Sequence, residues 1–143
     1  QIYHKNGNKV AENIPRGTGP NERLGCWSLQ IEDELIWSLD MQLSTMTAYK
    51  KDEFLTQSNT IPYKTLHFEN GGITTLAVLP NNTFIGSDIA DKKNLLSFYN
   101  SSAIQDTTKR SPFPQFRLEN PSENLNKRMF EYRIFYNKNE FFI

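Results

Sequence analysis

The chain has 143 residues, 37% of them hydrophobic and 13% aromatic, which fits one globular domain. Its 16 basic and 16 acidic side chains cancel, which argues against a nucleic acid partner, because proteins that bind the phosphate backbone carry a basic excess. No apolar run approaches the roughly 20 residues of a membrane-spanning helix, so we expect no transmembrane segment. The single cysteine, Cys26, excludes an internal disulfide and favours a reducing compartment, the cytoplasm or the plastid stroma.

Residues 1–23 are polar and are interrupted by glycines and prolines. No apolar residue recurs there at the spacing of a strand or a helix, so the sequence predicts an irregular N-terminal arm. Such an arm is either a leader without a structural role or a segment that lies along a partner protein.

Two apolar alternations follow the arm and predict strands. The first covers residues 27–31 and ends at the charged run 32–34. The second predicts a long strand over residues 35–43 with one buried face. Its apolar members are Leu35, Trp37, Leu39, Met41 and Leu43. A helix over the same residues is the competing interpretation, but it would place Trp37 and Met41 on the solvent side.

The rest of the chain contains short aromatic-rich segments separated by turn-forming residues, which is typical of an antiparallel meander. Pro114 confines its segment to a sheet edge, because proline cannot donate a hydrogen bond to a central ladder. The predicted strands cover residues 63–68, 73–79, 84–85, 95–99, 113–118, 129–136 and 140–143. The sequence therefore predicts an all-β fold, an antiparallel up-and-down barrel of about eight to ten strands, in a single domain over residues 24–143.

Few residues of the chain have side chains that could bind a metal ion or take part in catalysis. His4, His67 and Cys26 do not have the spacing of a metal site, which needs three or four nitrogen, sulfur or oxygen ligands. Cys26 and His67 could meet as nucleophile and base, but Cys26 lies at a predicted strand, where a thiol more often packs as a small side chain. We therefore assign no catalytic residue and no metal ligand, and an enzyme ranks behind a binding or a structural function.

Gly25 and Trp27 form a Gly-x-Trp motif at the head of the first strand, and Arg133 lies near the end of the chain. In a closed barrel the first and last strands are neighbours, so a guanidinium can stack over the indole. With the aromatic-rich meander between them, this pattern resembles the lipocalin family, and within it the cyanobacterial and plastid proteins related to bilin lyases. The resemblance implies a calyx for an apolar or tetrapyrrole ligand, closed at its base by Gly25, Trp27 and Arg133.

Two functions from different classes follow. The first is a non-catalytic β-barrel that binds a small apolar or tetrapyrrole-type ligand. Its expected ligand contacts are Trp37, Leu39, Met41, His67 and Tyr132. The second is a structural subunit of a larger protein assembly, which docks through the N-terminal arm and through aromatic residues near loops, such as Phe113 and Phe116.

Overall fold

A computed structural model of the chain describes residues 1–69, 73–88, 94, 96–109, 135–137 and 140–142. The chain divides into two compact units, Gln1–His67 and Phe68–Ile143, called unit 1 and unit 2 below. The regular structure of the described residues consists of eleven short strands, one α-helix and one 3₁₀ turn. All of these strands pair antiparallel, which confirms the prediction of a mostly β, antiparallel fold.

Unit 1 starts with a small hairpin of β1 (Ile2–Tyr3) and β2 (Lys9–Ala11). Ile2 lies opposite Ala11. The connecting turn places Gly7 at a φ of 87°, in the left-handed region that glycine enters without steric cost. The sequence analysis assigned these residues to an irregular arm, because strands of two and three residues are too short to show an alternation.

Four strands of unit 1 form a meander in which neighbours in sequence are neighbours in the sheet. They are β3 (Ser28–Glu32), β4 (Leu35–Asp40), β5 (Thr45–Lys50) and β6 (Lys64–His67). The charged run that the sequence analysis took as a break is the β3–β4 turn, with Asp33 at a φ of 51°. Aspartate tolerates this conformation better than most residues.

A short helix, α1 (Lys51–Thr56), follows β5 directly. Its acidic residues Asp52 and Glu53 lie in the first turn, where negative charge stabilises a helix N-terminus. The ring of Phe54 packs against Tyr49 of β5 with 5.0 Å between ring centroids. The resulting apolar cluster consists of Ile36, Tyr49 and Phe54, with Ile2 and Ile14 packed against it.

Unit 2 contains a three-stranded meander of β7 (Ile73–Leu79), β8 (Thr83–Asp88) and β9 (Ser97–Tyr99). A 3₁₀ turn at Pro80–Asn82 joins β7 to β8, where the sequence predicted a turn. One cluster of its core consists of Ala77, Ile85 and Leu96. Phe68 packs edge-on against Phe84 and Tyr99, with centroids 5.9 and 5.0 Å away.

The last described strands are β10 (Phe135–Asn137) and β11 (Glu140–Phe142). They pair antiparallel, with Phe135 opposite Phe142. This confirms, for the described residues, the predicted hairpin at the end of the sequence. The predicted edge strand at 113–118 lies outside the described residues.

The closed barrel of the sequence analysis is absent from the part of the chain that the structure describes, where the strands form four separate sheets. One reason is the predicted long strand at 35–43, which ends at Asp40, where the chain turns back through residues 41–44 into β5. Neither β5 nor α1 was predicted from the sequence pattern. A single domain over residues 24–143 stays a prediction.

Candidate functional site

One face of the four-stranded sheet carries polar side chains in rows across the strands. Ser38 of β4 lies opposite Thr47 of β5, and Thr47 lies opposite Thr65 of β6. In the next row Asp40 lies opposite Thr45. Residues that are paired across antiparallel strands point to the same side of the sheet, so hydroxyl groups and one carboxylate share this face.

This polar face is not solvated, although the alternating sequence pattern placed Ser38 and Asp40 on the solvent side. Ser38 is 1% exposed and Asp40 is 0% exposed. The expectation was wrong because residues 11–25, called the covering segment below, lie over this face. The contacts of Asp40 and Arg23 with the segment and the sheet show how it is held.

Asp40 attaches the end of the covering segment to the sheet. Its Oδ2 accepts hydrogen bonds from the backbone N–H groups of Leu24, at 2.8 Å, and Gly25, at 3.1 Å. Its Oδ1 accepts from the N–H groups of Gln42, at 3.0 Å, and Leu43, at 3.1 Å. A buried carboxylate is tolerated when it is hydrogen-bonded in this way, and here it fixes both the segment and the turn after β4.

Arg23 reaches from the covering segment onto the sheet and is 5% exposed. Its Nε and Nη2 donate to Thr47 Oγ1, at 2.9 and 2.5 Å, and Nη2 also donates to Thr65 Oγ1, at 3.2 Å. Its Nη1 donates to the Glu22 carbonyl at 2.6 Å. All three acceptors are neutral. Among the described residues, no carboxylate forms an ion pair with this guanidinium.

A cavity of about 290 Å³, called the N-terminal cavity, lies along the covering segment. Apolar side chains form much of its wall. They are Ile2, Ile14, Leu24, Leu29 and Phe54. Two buried polar residues, Asn13 and Arg23, also line it, and the exposed residues Glu12, Arg16 and Cys26 lie at its rim. The cavity therefore combines apolar walls with a buried cation and an opening to solvent.

The charges around the N-terminal cavity leave an excess of positive charge. Glu12 accepts a hydrogen bond from Lys9 Nζ, and this bond lowers the pKa of the Glu12 carboxyl. The negative charge of Glu12 is therefore already paired with the positive charge of Lys9. Arg16 and Arg23 line the same cavity and have no ion-pair partner in the described part of the chain.

Two buried polar atoms near the cavity lack a hydrogen-bond partner within the described structure, Asn13 Oδ1 and the Tyr49 hydroxyl. Asn13 is 2% exposed and its Nδ2 donates to the Phe54 carbonyl, which leaves the amide oxygen as an unused acceptor. Burial raises the pKa of the Tyr49 hydroxyl, which the nearby Arg23 charge partly offsets.

Cys26 lies at the cavity rim with its side chain exposed. The Ser38 hydroxyl donates to its Sγ at 3.3 Å. The other partner of the suggested nucleophile–base pair, His67, is an exposed residue at the end of β6. Cys26 therefore contacts a hydroxyl group of the sheet, and its thiol is open to reagents in solution.

The predicted ligand-contacting residues that the structure describes lie in different parts of unit 1. Trp37 and Leu39, each 1% exposed, are packed on the apolar face of the sheet and do not line the cavity. Met41 lies half-buried in the turn after β4, and His67 is exposed. Tyr132 lies outside the described residues.

Of the residues predicted to close a barrel, the structure describes Gly25 and Trp27. Trp27 is 58% exposed, so its indole does not plug a core in the described structure. A Cβ added at Gly25 would lie 3.1 Å from Trp27 Nε1, so the indole packs locally over this glycine. Arg133 lies outside the described residues, and a role for it with Trp27 stays a prediction. Of the predicted residues that the structure describes, Gly25 lines the cavity and Trp27 does not.

Sequence reasoning missed the residues that organise the site, Asn13, Arg23 and Asp40. Asp40 carried a usable signal, because aspartate before a turn accepts hydrogen bonds from N–H groups two and three residues on. Arg23 had no such signal, since its acceptors Thr47 and Thr65 are distant in sequence.

These features define an antiparallel β protein with a small, partly apolar cavity beside a buried arginine. No helix of the described residues is long and apolar enough to cross a membrane. Those residues also contain no group of three or more histidine, cysteine, aspartate or glutamate side chains that could hold a metal ion.

Neither a family model nor a curated protein matches the chain. The fold is similar to a solved structure from Bacteroides fragilis that is described only as an exported protein, with a TM-score of 0.59 and 13% sequence identity. The similarity covers 80% of this chain and 32% of that protein, so the chain spans about a third of its length. At this identity the similarity concerns the fold alone.

Proposed function

We propose that unit 1 is a non-catalytic binding module that holds a small, largely apolar molecule in the N-terminal cavity. The observation that carries this proposal is the cavity of about 290 Å³, whose wall includes five apolar side chains. Its volume equals that of roughly ten water molecules and lies at the lower end of the range of ligand pockets. A ligand with a short hydrocarbon part fits these dimensions.

The lipocalin resemblance and its tetrapyrrole ligand stay predictions, and neither is needed for this proposal. The cavity lies along the covering segment, which is a different place from the calyx of a barrel. Its size favours a ligand of about ten non-hydrogen atoms over a linear or cyclic arrangement of four pyrrole rings.

Titration of the protein with n-hexanol, followed by two-dimensional NMR, tests the proposal. We expect saturable shifts for residues at the cavity wall and a slower reaction of Cys26 with Ellman's reagent, because Cys26 is the single cysteine of the chain and lies at the rim. Leu29→Trp should fill the opening and weaken binding at least about fivefold, since the larger side chain occupies ligand volume.

Ile31→Trp is the matched control for Leu29→Trp. Both residues lie in β3 two positions apart and are 53% and 65% exposed, but of the two only Leu29 lines the cavity. We expect Ile31→Trp to bind n-hexanol as the wild type does. Shifts that do not saturate, or equal binding by both variants, would show that the cavity is only a packing gap.

A structural role is the second candidate function, and the sheet architecture supports it. Each unit contains a meander whose strands are adjacent in chain order, and such a sheet is the kind of module that repeats in β-propellers and other all-β arrays. Docking through the N-terminal arm stays a prediction, and two apolar residues of that arm, Ile2 and Ile14, pack against the core of unit 1.

Native mass spectrometry of protein purified from its own source separates the two candidates. A stoichiometric added mass of a small molecule would support the binding module. Protein found only as part of a larger complex, with no added small-molecule mass, would favour the structural role.

A further inference from the structure

We infer that the ligand of the N-terminal cavity carries a carboxylate group, which Arg23 recognises, on a short apolar chain. This inference rests on the proposed function and specifies its ligand class. It depends on three observations about unit 1: the unpaired charge of Arg23, its unused donor, and the position of both beside apolar walls.

The charge of Arg23 has no ion-pair partner in the described part of the chain. Arg23 is 5% exposed, and the acceptors of its guanidinium are two threonine hydroxyls and one backbone carbonyl. A buried cation is normally paired with a carboxylate, because neutral acceptors do not compensate for the lost hydration of the charge. No carboxylate of the described residues takes this place.

The carboxylates of Asp40 and Glu12 are already bound to other groups of the protein. Asp40 uses both oxygens for backbone N–H groups of the covering segment and the following turn. Glu12, the acidic residue at the cavity rim, is paired with Lys9. An anion that enters the cavity therefore meets a guanidinium without competition from these two carboxylates.

Arg23 also keeps a hydrogen-bond donor for a ligand. A guanidinium has five N–H groups, and the bonds to Thr47, Thr65 and Glu22 use four of them. The remaining N–H belongs to Nη1. The two threonines hold the planar group in one orientation, so little further ordering is required when a ligand binds.

The apolar residues of the cavity wall favour a ligand that carries an apolar chain beside its charged group. Ile14, Leu29 and Phe54 offer apolar contact, which a bare inorganic anion would not use. The buried Asn13 Oδ1 has no donor within the described structure, but an amide oxygen only accepts hydrogen bonds, so it does not bond to a carboxylate. A short-chain carboxylate therefore matches the Arg23 donor and the apolar residues of the wall.

A comparison of hexanoate with hexanamide, which has nearly the same shape but no charge, tests this inference on the wild-type protein. We expect hexanoate to bind at least about tenfold more tightly, because hydrogen bonds to a charged group are stronger than those to a neutral one. Acetate should bind at least about tenfold more weakly than hexanoate, because it lacks four methylene groups that the apolar wall would bury.

Two variants assign the charge preference to one arginine. Arg23→Gln should remove the preference for hexanoate over hexanamide, whereas Arg16→Gln should change it less than about threefold, because an exposed charge is screened by salt. The Arg16 result and the wild-type comparison remain informative if Arg23→Gln does not fold. Loss of the preference in Arg16→Gln would overturn the assignment to Arg23.

The failures of the two proposals can be distinguished. If n-hexanol and hexanamide bind but hexanoate binds no more tightly, the cavity is a ligand site without carboxylate recognition, and this inference is overturned. If none of the three molecules binds, the proposed function fails and the inference fails with it. Equal binding of acetate and hexanoate would overturn the apolar part of the ligand class.

Discussion

The strongest prediction about folding concerns Asp40→Asn. The amide has the same shape as the carboxylate but replaces one accepting oxygen with an NH₂ group, which only donates. Whichever way the amide turns, two backbone N–H groups lose their acceptor, either those of Leu24 and Gly25 or those of Gln42 and Leu43. The substitution therefore detaches the covering segment or loosens the turn after β4.

The expected loss of stability follows from these two hydrogen bonds. A hydrogen bond to a charged group contributes about 1.5–3 kcal/mol. The affected N–H groups are only partly buried and water can replace some of the lost interaction, so we expect a total near the lower limit, about 3 kcal/mol. This is a large share of the roughly 5–15 kcal/mol by which domains are stable.

Urea unfolding followed by tryptophan fluorescence measures this loss in unit 1. The chain has two tryptophans, Trp27 and Trp37, both in unit 1, and Trp37 is 1% exposed, so its emission shifts when the sheet unfolds. The unfolding midpoint should fall by roughly 1–2 M urea. Asp33→Asn is the matched control, because it makes the same change in an exposed turn where asparagine also tolerates positive φ. Equal midpoints for the two variants would refute the role of Asp40.

Two further predictions concern the two cores. Because burial raises the pKa of Tyr49, the hydroxyl stays neutral in the folded protein above about pH 10, where unfolded tyrosine ionises. Stability should therefore fall as the pH rises from 9 to 11, by less than about 1.4 kcal/mol per pH unit, and Tyr49→Phe should remove this component; urea midpoints with the same pH dependence in both proteins would contradict it. In unit 2, a Cβ at Gly86 would lie 2.6 Å from both Leu76 Cδ1 and the Thr75 carbonyl oxygen, so Gly86→Ala should cost about 1–3 kcal/mol. Thermal unfolding followed by circular dichroism should show a lower midpoint than for Gly25→Ala, and no difference between the two would refute the packing argument.

The sequence predicted the class of the fold because strand periodicity and turn residues are local signals. The turn at Pro80–Asn82 and the predicted strand over residues 73–79 are both signalled by adjacent residues, and the structure confirms them. The end of β4 was missed for a related reason. Met41 and Leu43 continue the alternation, but the hydrogen bonds to Asp40 turn the chain there, and a periodicity argument does not count such bonds.

The candidate site was hardly predictable, because its members are separated in sequence and have ordinary local patterns. Arg23 contacts Thr47 and Thr65 at separations of 24 and 42 residues. Asn13 lies in a segment without periodicity, and it is buried only because that segment covers the sheet. The sequence showed the polar side of the alternation at Ser38 and Asp40, but polar residues on one strand face are the usual mark of solvent.

The burial of this polar face explains why the cavity occurs where it does. Buried hydroxyl groups and carboxylates need hydrogen-bond partners in the segment that covers them. The covering segment bonds to Asp40 with its backbone and to Thr47 and Thr65 with Arg23, and these contacts fix its position over the sheet. The cavity beside these contacts is lined by Arg23, which has no ion-pair partner in the described part of the chain, and by Ile14 and Phe54. A molecule with an anionic head and a short apolar chain would therefore complete contacts that this part of the protein does not make for itself.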